Sequence, residues 1–244
     1  MSDLKFNFGY TKVKSTEKTR LVQKVFSDVA KNYNIMNDLM SFGTHRYWKK
    51  KFVDTINPIN NERIIDIGSG TGDIAKNILK RKFKGKLHLL DLNKSMLKIG
   101  KKSLEKNNGV FFHQGNAEKL KFQNNYFDKY IISFCLRNIT NIEKSFEEAY
   151  RVLKPGGSYF CLEFSKPKSD YVNKLYNTYK KNILPFLGEL VAKNKNAYNY
   201  LNESIDLFPN QKKLKSMMEK NGFNNVSYIN LFDGIVTIHK GYKL

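Results

Sequence analysis

The sequence predicts an α/β fold built on a seven-stranded, mostly parallel β-sheet. From about residue 62, apolar strand-like segments alternate with helical segments of roughly 10–15 residues, which is typical of βαβ units. A glycine-rich loop follows the first of these strands. The last two strand-like segments are joined through a short Asp-Gly turn, which indicates that the final strand is antiparallel.

The predicted strands are short apolar runs. In chain order they are Glu62–Ile67, Lys86–Asp91, Val110–Gln114, Tyr130–Cys135 and Tyr159–Glu163, followed by the finishing pair Val226–Asn230 and Ile235–Lys240. Helical spacing of apolar residues predicts helices after the first and second strands and over Glu143–Leu153. Pro155, Gly156 and Gly157 predict a turn before the fifth strand.

Two segments lie outside this alternating pattern. Residues 1–57 are helical in character, and residues 170–209 carry apolar and aromatic side chains at helical spacing. We therefore expect a helical N-terminal lid over residues 1–57 and a main domain over 58–244 with a cap inserted at about 168–210. Ligands of open α/β sheets bind at the carboxyl ends of the strands, so both segments are expected to cover that edge.

The composition suits one domain of this kind and limits its chemistry. The 244 residues are 41% hydrophobic, which is enough for a sizeable core. Cys135 and Cys161 lie in apolar runs without a Cys/His cluster, so we expect two buried thiols and no metal site. The formal charge of +21 suits a nucleic-acid partner, an anionic membrane or simply a solvated, lysine-rich surface.

The glycine-rich loop predicts a nucleoside-containing cofactor. It reads Asp66-Ile67-Gly68-Ser69-Gly70-Thr71-Gly72-Asp73 and stands between a strand and a helix. Glycines let a backbone approach a ligand closely, but a dinucleotide fingerprint requires a glycine where Asp73 stands. A carboxylate there repels a pyrophosphate and suits an ammonium or a sulfonium group. S-adenosylmethionine carries both groups and has no phosphate.

Residues at the ends of the next strands extend this predicted site. An acid at the end of the second strand, here Asp91, accepts hydrogen bonds from both ribose hydroxyls in related folds. Asn116 follows the third strand, where it borders a bound nucleoside or simply caps a turn. The predicted cofactor-binding residues are Asp66, Gly68, Gly70, Thr71, Gly72, Asp91, Leu92, Asn116, Ala117 and Ser133.

Longer motifs resemble those of the ubiquinone/menaquinone biosynthesis C-methyltransferases, a family of class I methyltransferases with a Rossmann-like fold. The first is YNIMNDLMSFGTHRYW at residues 33–48, with Asn34 in place of the usual Asp. The second joins RVLKPGG at 151–157 to LEFSKP at 162–167. A third, SFCLRN at 133–138, has Cys135 where a glycine is usual. The resemblance extends from about residue 8 to the end of the chain.

The resemblance implies an activity, a cofactor and a location. The activity is S-adenosylmethionine-dependent methylation of a ring carbon of 2-methoxy-6-polyprenyl-1,4-benzoquinol, of demethylmenaquinol, or of both. By resemblance, the cofactor contacts correspond to Thr71, Asp91, Asn116, Ala117 and Ser133. The family also implies a homodimer, membership of a quinone-biosynthesis complex, and a cytoplasmic protein at the periphery of the inner membrane, or on its matrix side in a mitochondrion.

Arg137 and His45 are the predicted catalytic residues. Ring methylation requires an electron-rich quinol aligned with the methyl group and help in deprotonating a ring hydroxyl. Arg137 stays protonated, so it stabilises a phenolate or orients a water molecule, unless it forms a structural ion pair with Glu163. His45 has the ordinary pKa of a general base, and packing on a helix surface is its alternative.

Several partners and rival functions stay open. The stretch 171–187, with its lysines, suits a prenyl tail or anionic lipid, or packs on the sheet as an ordinary helix. We expect no nucleic-acid partner, because FCLR at 134–137 stands where amine-methylating enzymes carry an Asn/Asp-Pro-Pro-aromatic run. A small-phenol O-methyltransferase and a non-catalytic, cofactor-binding scaffold are the remaining alternatives.

Overall fold

The computed structural model describes residues 5–30, 33–183 and 195–244. It contains a seven-stranded sheet, preceded in the chain by a two-stranded one. The strands are β1 (Lys5–Phe8), β2 (Thr11–Lys14), β3 (Arg63–Ile67), β4 (Lys86–Asp91), β5 (Val110–Gln114), β6 (Phe127–Ser133), β7 (Leu153–Phe164), β8 (Asn224–Leu231) and β9 (Val236–Tyr242).

The large sheet has the strand order β5-β4-β3-β6-β7-β9-β8. Strands β3 to β7 pair in parallel, whereas β9 is antiparallel to both β7 and β8. The predicted parallel sheet with an antiparallel final strand is therefore confirmed. The strand order reverses between β3 and β6, and such a switch point opens a crevice at the carboxyl ends of the strands.

Helices cover the sheet and the crevice. In chain order they are α1 (Ser15–Val29), α2 (Tyr33–Ser41), α3 (Thr44–Ile56), α4 (Asp73–Leu79), α5 (Lys94–Leu104), α6 (Ile142–Val152), α7 (Asp170–Thr178), α8 (Lys195–Leu207) and α9 (Gln211–Lys220). Helices α4, α5 and α6 connect strands of the sheet. In the described ranges, no helix is both long and apolar enough to cross a bilayer.

Apolar side chains bury both faces of the sheet. On one face, Phe146 of α6 packs in a cluster with Tyr159 of β7. On the other, Phe52 of α3 and Ile78 of α4 share a cluster with Ile64 of β3. Parallel strands covered in this way are continuous apolar runs, which explains why the sequence indicates them. This packing also places the first turn of α3 at the crevice.

The fourth strand differs from its predicted bounds. It spans Phe127–Ser133 rather than Tyr130–Cys135. Phe134 has a left-handed φ of 52°, and a 3-10 turn over Leu136–Asn138 follows. The apolar run therefore continues past the end of the strand, because the chain turns while Phe134 and Cys135 stay packed against the core.

The fifth strand begins earlier than predicted and contains the predicted turn. It starts at Leu153 and includes Gly156, whose φ is 79°. Its pairing with β6 shifts in register between Leu153 and Ser158. The Pro-Gly-Gly sequence thus forms an irregularity within the strand, because glycine tolerates the left-handed backbone that this shift requires.

The N-terminal segment is helical from Ser15 onward, but residues 5–14 form a hairpin. Strands β1 and β2 pair antiparallel around Gly9, whose φ is 55°. The predicted helical character is wrong for these residues. Phe6 and Phe8 are half-buried while their neighbours in β1 are exposed, which is the period of two that favours a strand.

The predicted cap at about 168–210 contains α7, a π-helical turn over Tyr179–Ile183, and α8. Residues 184–194 lie outside the described residues, as do the side chains of Lys181, Ile183 and Asn34. The parts of the predictions that concern those residues therefore stay predictions.

Candidate active site

Two adjoining cavities open at the carboxyl ends of β3, β4 and β6. The small cavity, of about 100 Å³, lies against the ends of β3 and β4 and the residues after β5. The large cavity, of about 330 Å³, lies between the β3–α4 loop and residues of α2, α3, α7 and α8. Gly68, Gly70 and Ser133 line both cavities. Phe26, Tyr33, Phe134 and Asn138 also line both, so the two spaces share a wall of loop backbone and aromatic side chains.

The β3–α4 loop needs its glycines for conformation and for space. Gly68 and Gly70 have φ values of 62° and 54°, in the left-handed region that other residues rarely adopt. A Cβ atom on Gly68 would lie 2.2 Å from Cys135 Sγ. Gly72, at the start of α4, has a φ of 80° and packs against Leu104 at the end of α5. It lines neither cavity. At Gly68 and Gly70 the loop thus presents backbone to both cavities, whereas Ser69 and Thr71 line the large one.

Asp91 is held at the small cavity by two backbone amides. Its Oδ2 accepts a hydrogen bond from Gly70 N–H at 2.8 Å, and its Oδ1 accepts one from Asn93 N–H at 2.7 Å. Burial raises the pKa of this carboxyl above its ordinary value, and the two amides oppose that rise. Each oxygen keeps a lone pair for a further donor. A diol is a ligand that this carboxylate suits.

The remaining predicted residues of the nucleoside side lie around the small cavity. Leu92, Asn116 and Ala117 line it, with Ser133 in the shared wall. Asn116 Oδ1 accepts a hydrogen bond from Glu118 N–H at 2.9 Å, so this side chain also caps a turn, as its alternative interpretation held. The structure therefore brings these four predicted positions together at one edge of the sheet.

Two carboxylates of the loop differ in what neutralises them. Asp73 Oδ2 lies 2.8 Å from Lys49 Nζ, and Asp73 Oδ1 lies 3.6 Å from Lys76 Nζ. Asp66 is buried, and its Oδ2 has no hydrogen-bond partner among the described residues. Burial, with the nearby charges of Asp91 and Asp73, raises the pKa of Asp66 well above its ordinary value. The sequence pointed to Asp73 as the partner of a bound cation, whereas Asp66 is the unpaired carboxylate.

Arg137 and Glu163 form a buried ion pair beside the large cavity. Arg137 Nη1 lies 2.7 Å from Glu163 Oε1 and donates a second hydrogen bond to the Phe134 carbonyl at 2.8 Å. The Arg137 and Glu163 side chains are 7% and 1% exposed. Arg137 lines the large cavity, and its Nε is buried without a partner among the described residues. Arg137 therefore forms the ion pair with Glu163 and also lines the cavity.

His45 lines the large cavity from the first turn of α3. Its Nε2 lies 2.8 Å from Asp38 Oδ1, and Arg46 forms two further hydrogen bonds with Asp38. Burial lowers the pKa of His45 below its ordinary value, while the bond to Asp38 opposes that change. The Arg46 and His45 donors hold the pKa of Asp38 far below its ordinary value. With Asp38 accepting from Nε2–H, a neutral His45 presents Nδ1 as an acceptor, and Nδ1 is buried without a partner among the described residues.

Sequence reasoning expected the aromatic segment 170–209 to cover the site, but it placed no aromatic residue among the predicted site residues. Burial raises the pKa of Tyr33 and of Tyr179 to about 12, so these hydroxyls stay protonated donors at neutral pH. Aromatic residues at helical spacing in 170–209 were the available signal. The aromatic lining residues are Phe26, Tyr33, Phe42, Trp48, Phe134, Phe164, Tyr176, Tyr179, Tyr198, Tyr200 and Phe232.

Comparison with known proteins identifies the family. The profile of the ubiE/COQ5 methyltransferase family matches residues 11–243. The chain belongs to this family. It is 47% identical to the ubiquinone/menaquinone biosynthesis C-methyltransferase UbiE of Rickettsia bellii, over 98% of each chain. The protein of the same name from Vibrio cholerae is 46% identical, over 97% of this chain and 93% of its own.

Solved structures share the fold of this family member at much lower identity. A SAM-dependent methyltransferase from Thermotoga maritima, described as a possible histamine N-methyltransferase, has a TM-score of 0.66 at 20% identity and covers 91% of this chain and 100% of its own. A phosphoethanolamine N-methyltransferase of Haemonchus contortus, in complex with S-adenosyl-L-methionine, has a TM-score of 0.60 at 17% identity over 80% of this chain and 52% of its own. The Rossmann-like class I methyltransferase fold is thereby confirmed.

The described residues of this methyltransferase fit S-adenosylmethionine. An unpaired buried carboxylate, Asp66, suits the ammonium group, and Asp91 suits the ribose diol. Ser69 Oγ and Ser133 Oγ are buried without a partner among the described residues, so both hydroxyls have hydrogen-bonding capacity for a ligand. Across 5–30, 33–183 and 195–244, no group of three or more His, Cys, Asp or Glu side chains is arranged to hold a metal ion.

Proposed function

We propose that this protein transfers the methyl group of S-adenosylmethionine to a ring carbon of a reduced, prenylated quinol in ubiquinone biosynthesis, menaquinone biosynthesis or both. The substrate is 2-methoxy-6-polyprenyl-1,4-benzoquinol, demethylmenaquinol or both. The observation that carries the proposal is the junction of two cavities, one holding a strand-end carboxylate and the other combining aromatic walls with a buried guanidinium. The family, and the activity named for relatives such as UbiE of Rickettsia bellii, support the same chemistry.

In this proposal the small cavity and the β3–α4 loop hold the cofactor. Asp91 accepts hydrogen bonds from the ribose hydroxyls, and Asp66 supplies a carboxylate for the ammonium group. When bound, S-adenosylmethionine supplies an electrophilic methyl group carried on a sulfonium. The other residues proposed to bind the cofactor are Gly68, Gly70, Thr71, Leu92, Asn116, Ala117 and Ser133. Gly72, which lines neither cavity, shapes the loop without touching the cofactor.

The large cavity orients the quinol and excludes water. Its aromatic walls hold the ring near the cavity junction, and alignment of this kind accounts for much of the rate of a methyl transfer. Arg137 stabilises negative charge on a ring oxygen, because Glu163 and Phe134 engage Nη1 and leave its other N–H groups as donors.

His45 is the proposed general base. One proton is released for each methyl group transferred to the ring, and a neutral imidazole accepts it at Nδ1. Asp38 acts through His45 as a positioning residue, because it fixes Nε2 as the protonated nitrogen. The low pKa that burial gives His45 keeps the imidazole neutral at the start of the reaction.

The N-terminal segment serves as a lid and the protein works at a membrane surface. Residues of α1, α2 and α3, such as Phe26, Tyr33 and Trp48, line the cavities, which supports a lid within residues 1–57. The 168–210 insertion contributes Tyr176 and Tyr198 to the lining of the large cavity. A prenylated substrate resides in lipid, so we propose peripheral association with the cytoplasmic face of the inner membrane. A homodimer and membership of a quinone-biosynthesis complex are proposed from the family alone.

The deciding experiment measures methyl transfer from labelled S-adenosylmethionine to reduced, short-tailed benzoquinol and naphthoquinol acceptors. We expect a product methylated on a ring carbon, and the ratio of the two products gives the quinol class. A methyl group found on oxygen supports the small-phenol O-methyltransferase instead. No transfer to either acceptor, with S-adenosylhomocysteine still bound, supports the non-catalytic scaffold.

A matched pair of histidine variants tests the base. His45→Gln removes the proposed acceptor, whereas His113→Gln changes a histidine of the edge strand β5 that lines neither cavity. Turnover is expected to fall about 100-fold or more in His45→Gln, the range of general-base catalysis, and to stay unchanged in His113→Gln. Equal turnover in the two variants would remove His45 from the mechanism.

A further inference from the structure

A third cavity lies beside the active site and shares Arg137 and Tyr200 with the large cavity. It has a volume of about 230 Å³ and is lined by residues of the β1–β2 hairpin, α1, α8 and the 3-10 turn that follows β6. None of the residues predicted to bind the cofactor lines it. The third cavity is therefore separate from the proposed cofactor site, although it adjoins the proposed substrate site.

The lining of the third cavity is basic. Among the described residues that form it, four carry a positive charge and none carries a negative one. The four are Lys5 of β1, Lys12 of β2, Lys18 of α1 and Arg137. Like charges around one space repel each other, and an anion bound among them relieves that repulsion. The charge of the lining thus favours an anionic ligand.

Contacts with α8 hold the hairpin over the cavity. Glu203 accepts a hydrogen bond from Tyr10 N–H at 3.0 Å, and Asp206 accepts one from Tyr10 O–H at 3.0 Å. The ring of Phe8 stacks on that of Tyr200, with the ring centroids 4.4 Å apart. Neither Glu203 nor Asp206 lines the cavity. The hairpin therefore closes the cavity without bringing a carboxylate into it.

Lys18 is buried in this lining. It is 6% exposed, whereas lysine is rarely buried unless it is paired. Its Nζ donates one hydrogen bond, to the Ile139 carbonyl at 2.8 Å, and an ammonium has three donors. Burial lowers the pKa of Lys18 to about 8, and the charge of Glu118, which lines the small cavity instead, opposes that change. A ligand with negative charge would offset the cost of burying this ammonium.

Arg137 is the second buried cation of the lining. Its side chain is 7% exposed, and its Nε is buried without a partner among the described residues. Lys5 and Lys12 are exposed, so the lining extends from two buried cations to two that solvent reaches. An anion can thus enter from solvent and meet buried donors.

The size of the cavity limits the ligand to a small anion. Pockets for drug-sized ligands begin at about 300 Å³, and this cavity is smaller. A phosphate group carries close to two negative charges at neutral pH and offers several acceptor oxygens, which suits ammonium and guanidinium donors on several sides.

We propose that the third cavity binds a small phosphate anion between Lys18, Arg137 and the two lysines of the hairpin. The net charge of +21 assists by drawing anions to the surface. The bound anion also lowers turnover, because it places negative charge beside the guanidinium that is proposed to stabilise a ring oxygen. This effect on turnover rests on the proposed function, whereas the binding does not.

Calorimetric titration of the full chain tests the binding. The probes are inorganic phosphate, pyrophosphate and citrate at constant ionic strength, with S-adenosylhomocysteine saturating so that no anion enters the cofactor site. The test variants are Lys18→Met and Lys5→Gln/Lys12→Gln. The control, Lys24→Gln/Lys84→Gln, also removes two exposed positive charges, at positions that line none of the three cavities. The hairpin variant changes only exposed side chains, so the test stands even where Lys18→Met fails to fold.

We expect phosphate or pyrophosphate to bind with an affinity that falls about tenfold or more in each folded test variant and stays unchanged in the control. No binding by the natural sequence would overturn the proposal. Equal weakening in the control would also overturn it, because the binding would then reflect net charge alone. Citrate that binds more tightly than either phosphate would overturn the assignment to a phosphate.

Turnover tests the coupling through Arg137. At saturating S-adenosylmethionine, the anion that binds should lower kcat for a short-tailed quinol about fivefold or more in the natural sequence and in the control. In Lys5→Gln/Lys12→Gln the same concentration should lower kcat much less, relative to the turnover of that variant without the anion. Inhibition that more S-adenosylmethionine removes would overturn the coupling, because the anion would then compete with the cofactor.

The two readouts separate this proposal from the proposed function. Phosphate binding in the expected pattern, with no turnover on any quinol, would overturn the proposed function and uphold the anion site. Turnover that is unchanged when the anion is bound would overturn the coupling and leave the proposed function standing.

Discussion

The ion pair of Arg137 and Glu163 gives a prediction that separates structural from catalytic roles. Glu163→Gln removes a carboxylate that is 1% exposed and leaves a guanidinium that is 7% exposed without a counter-charge. Breaking a buried pair from one side costs about 3–5 kcal/mol. At a shift of about 2–4 °C per kcal/mol for a chain of this size, Tm should fall by about 6–20 °C.

A double variant restores stability without restoring activity. Arg137→Met/Glu163→Leu replaces both charges with apolar side chains of similar volume, a change that is often neutral or stabilising for a buried pair. We expect its Tm to lie within a few degrees of that of the natural sequence, by calorimetry. Methyl transfer to a reduced short-tailed quinol should nevertheless fall about 100- to 1000-fold, because the variant lacks the guanidinium proposed to stabilise charge on the ring oxygen.

Three results would refute this reasoning. Full turnover in the stable double variant would show that Arg137 holds the end of β6 in place and takes no part in the chemistry. An unchanged Tm in Glu163→Gln would show that the guanidinium is solvated well enough to need no counter-charge. A Tm deficit shared by the single and double variants would contradict the charge argument and indicate a packing effect.

Three further predictions follow from the loop and from a buried histidine. Gly68→Ala should abolish the binding of S-adenosylhomocysteine in calorimetric titration, because its Cβ would lie 2.2 Å from Cys135 Sγ. A second change, Cys135→Gly, removes that clash and should restore most of the affinity. The alanine would still cost about 1–2 kcal/mol, because its backbone is left-handed. Asp91→Asn should weaken the same binding about 10- to 100-fold, the loss expected for hydrogen bonds to a charged acceptor, and an unchanged affinity would exclude it from the ribose site. Burial lowers the pKa of His239 to about 4, so the unfolded chain binds more protons below pH 6.5 and the free energy of unfolding should fall as the pH drops from about 6.5 to 4. His239→Gln should flatten that slope in urea titrations, and an unchanged slope would assign it to other groups.

The strands that the sequence predicted best are those whose ends coincide with a change in polarity. The bounds of β4 and β5 match their predictions, because Asp91 and Gln114 end apolar runs where the backbone also leaves the sheet. The end of β6 was missed, since Phe134 and Cys135 continue the apolar run while the backbone turns. Hydropathy indicates which side chains pack against the core, not which residues pair in a strand, and at Phe134 and Cys135 the two differ.

Within the candidate site, features fixed by a local motif were predictable, whereas contacts between distant residues were not. The loop glycines and Asp91 were predictable because one local motif fixes the turn, the helix start and the strand end. The partners of the predicted catalytic residues were not predictable with certainty, because only the fold brings Glu163 to Arg137 across 26 residues. Asp38 lies seven residues before His45, and in one continuous helix the two would be about 10.5 Å apart along the axis. They meet only because the chain turns between α2 and α3.

The two carboxylates of the loop show what the fold adds to a correctly predicted motif. The sequence indicated that an acid at the start of α4 replaces the glycine of a pyrophosphate site, and Asp73 is that acid. Lys49, from the N-terminal segment, neutralises Asp73, so its charge repels a phosphate less than the sequence implied. Asp66 instead remains buried and unpaired at the end of β3, with its pKa raised well above the ordinary value. Because a buried carboxyl without a counter-charge gains most from an arriving cation, we propose that Asp66, seven residues before Asp73, selects an ammonium group over a phosphate.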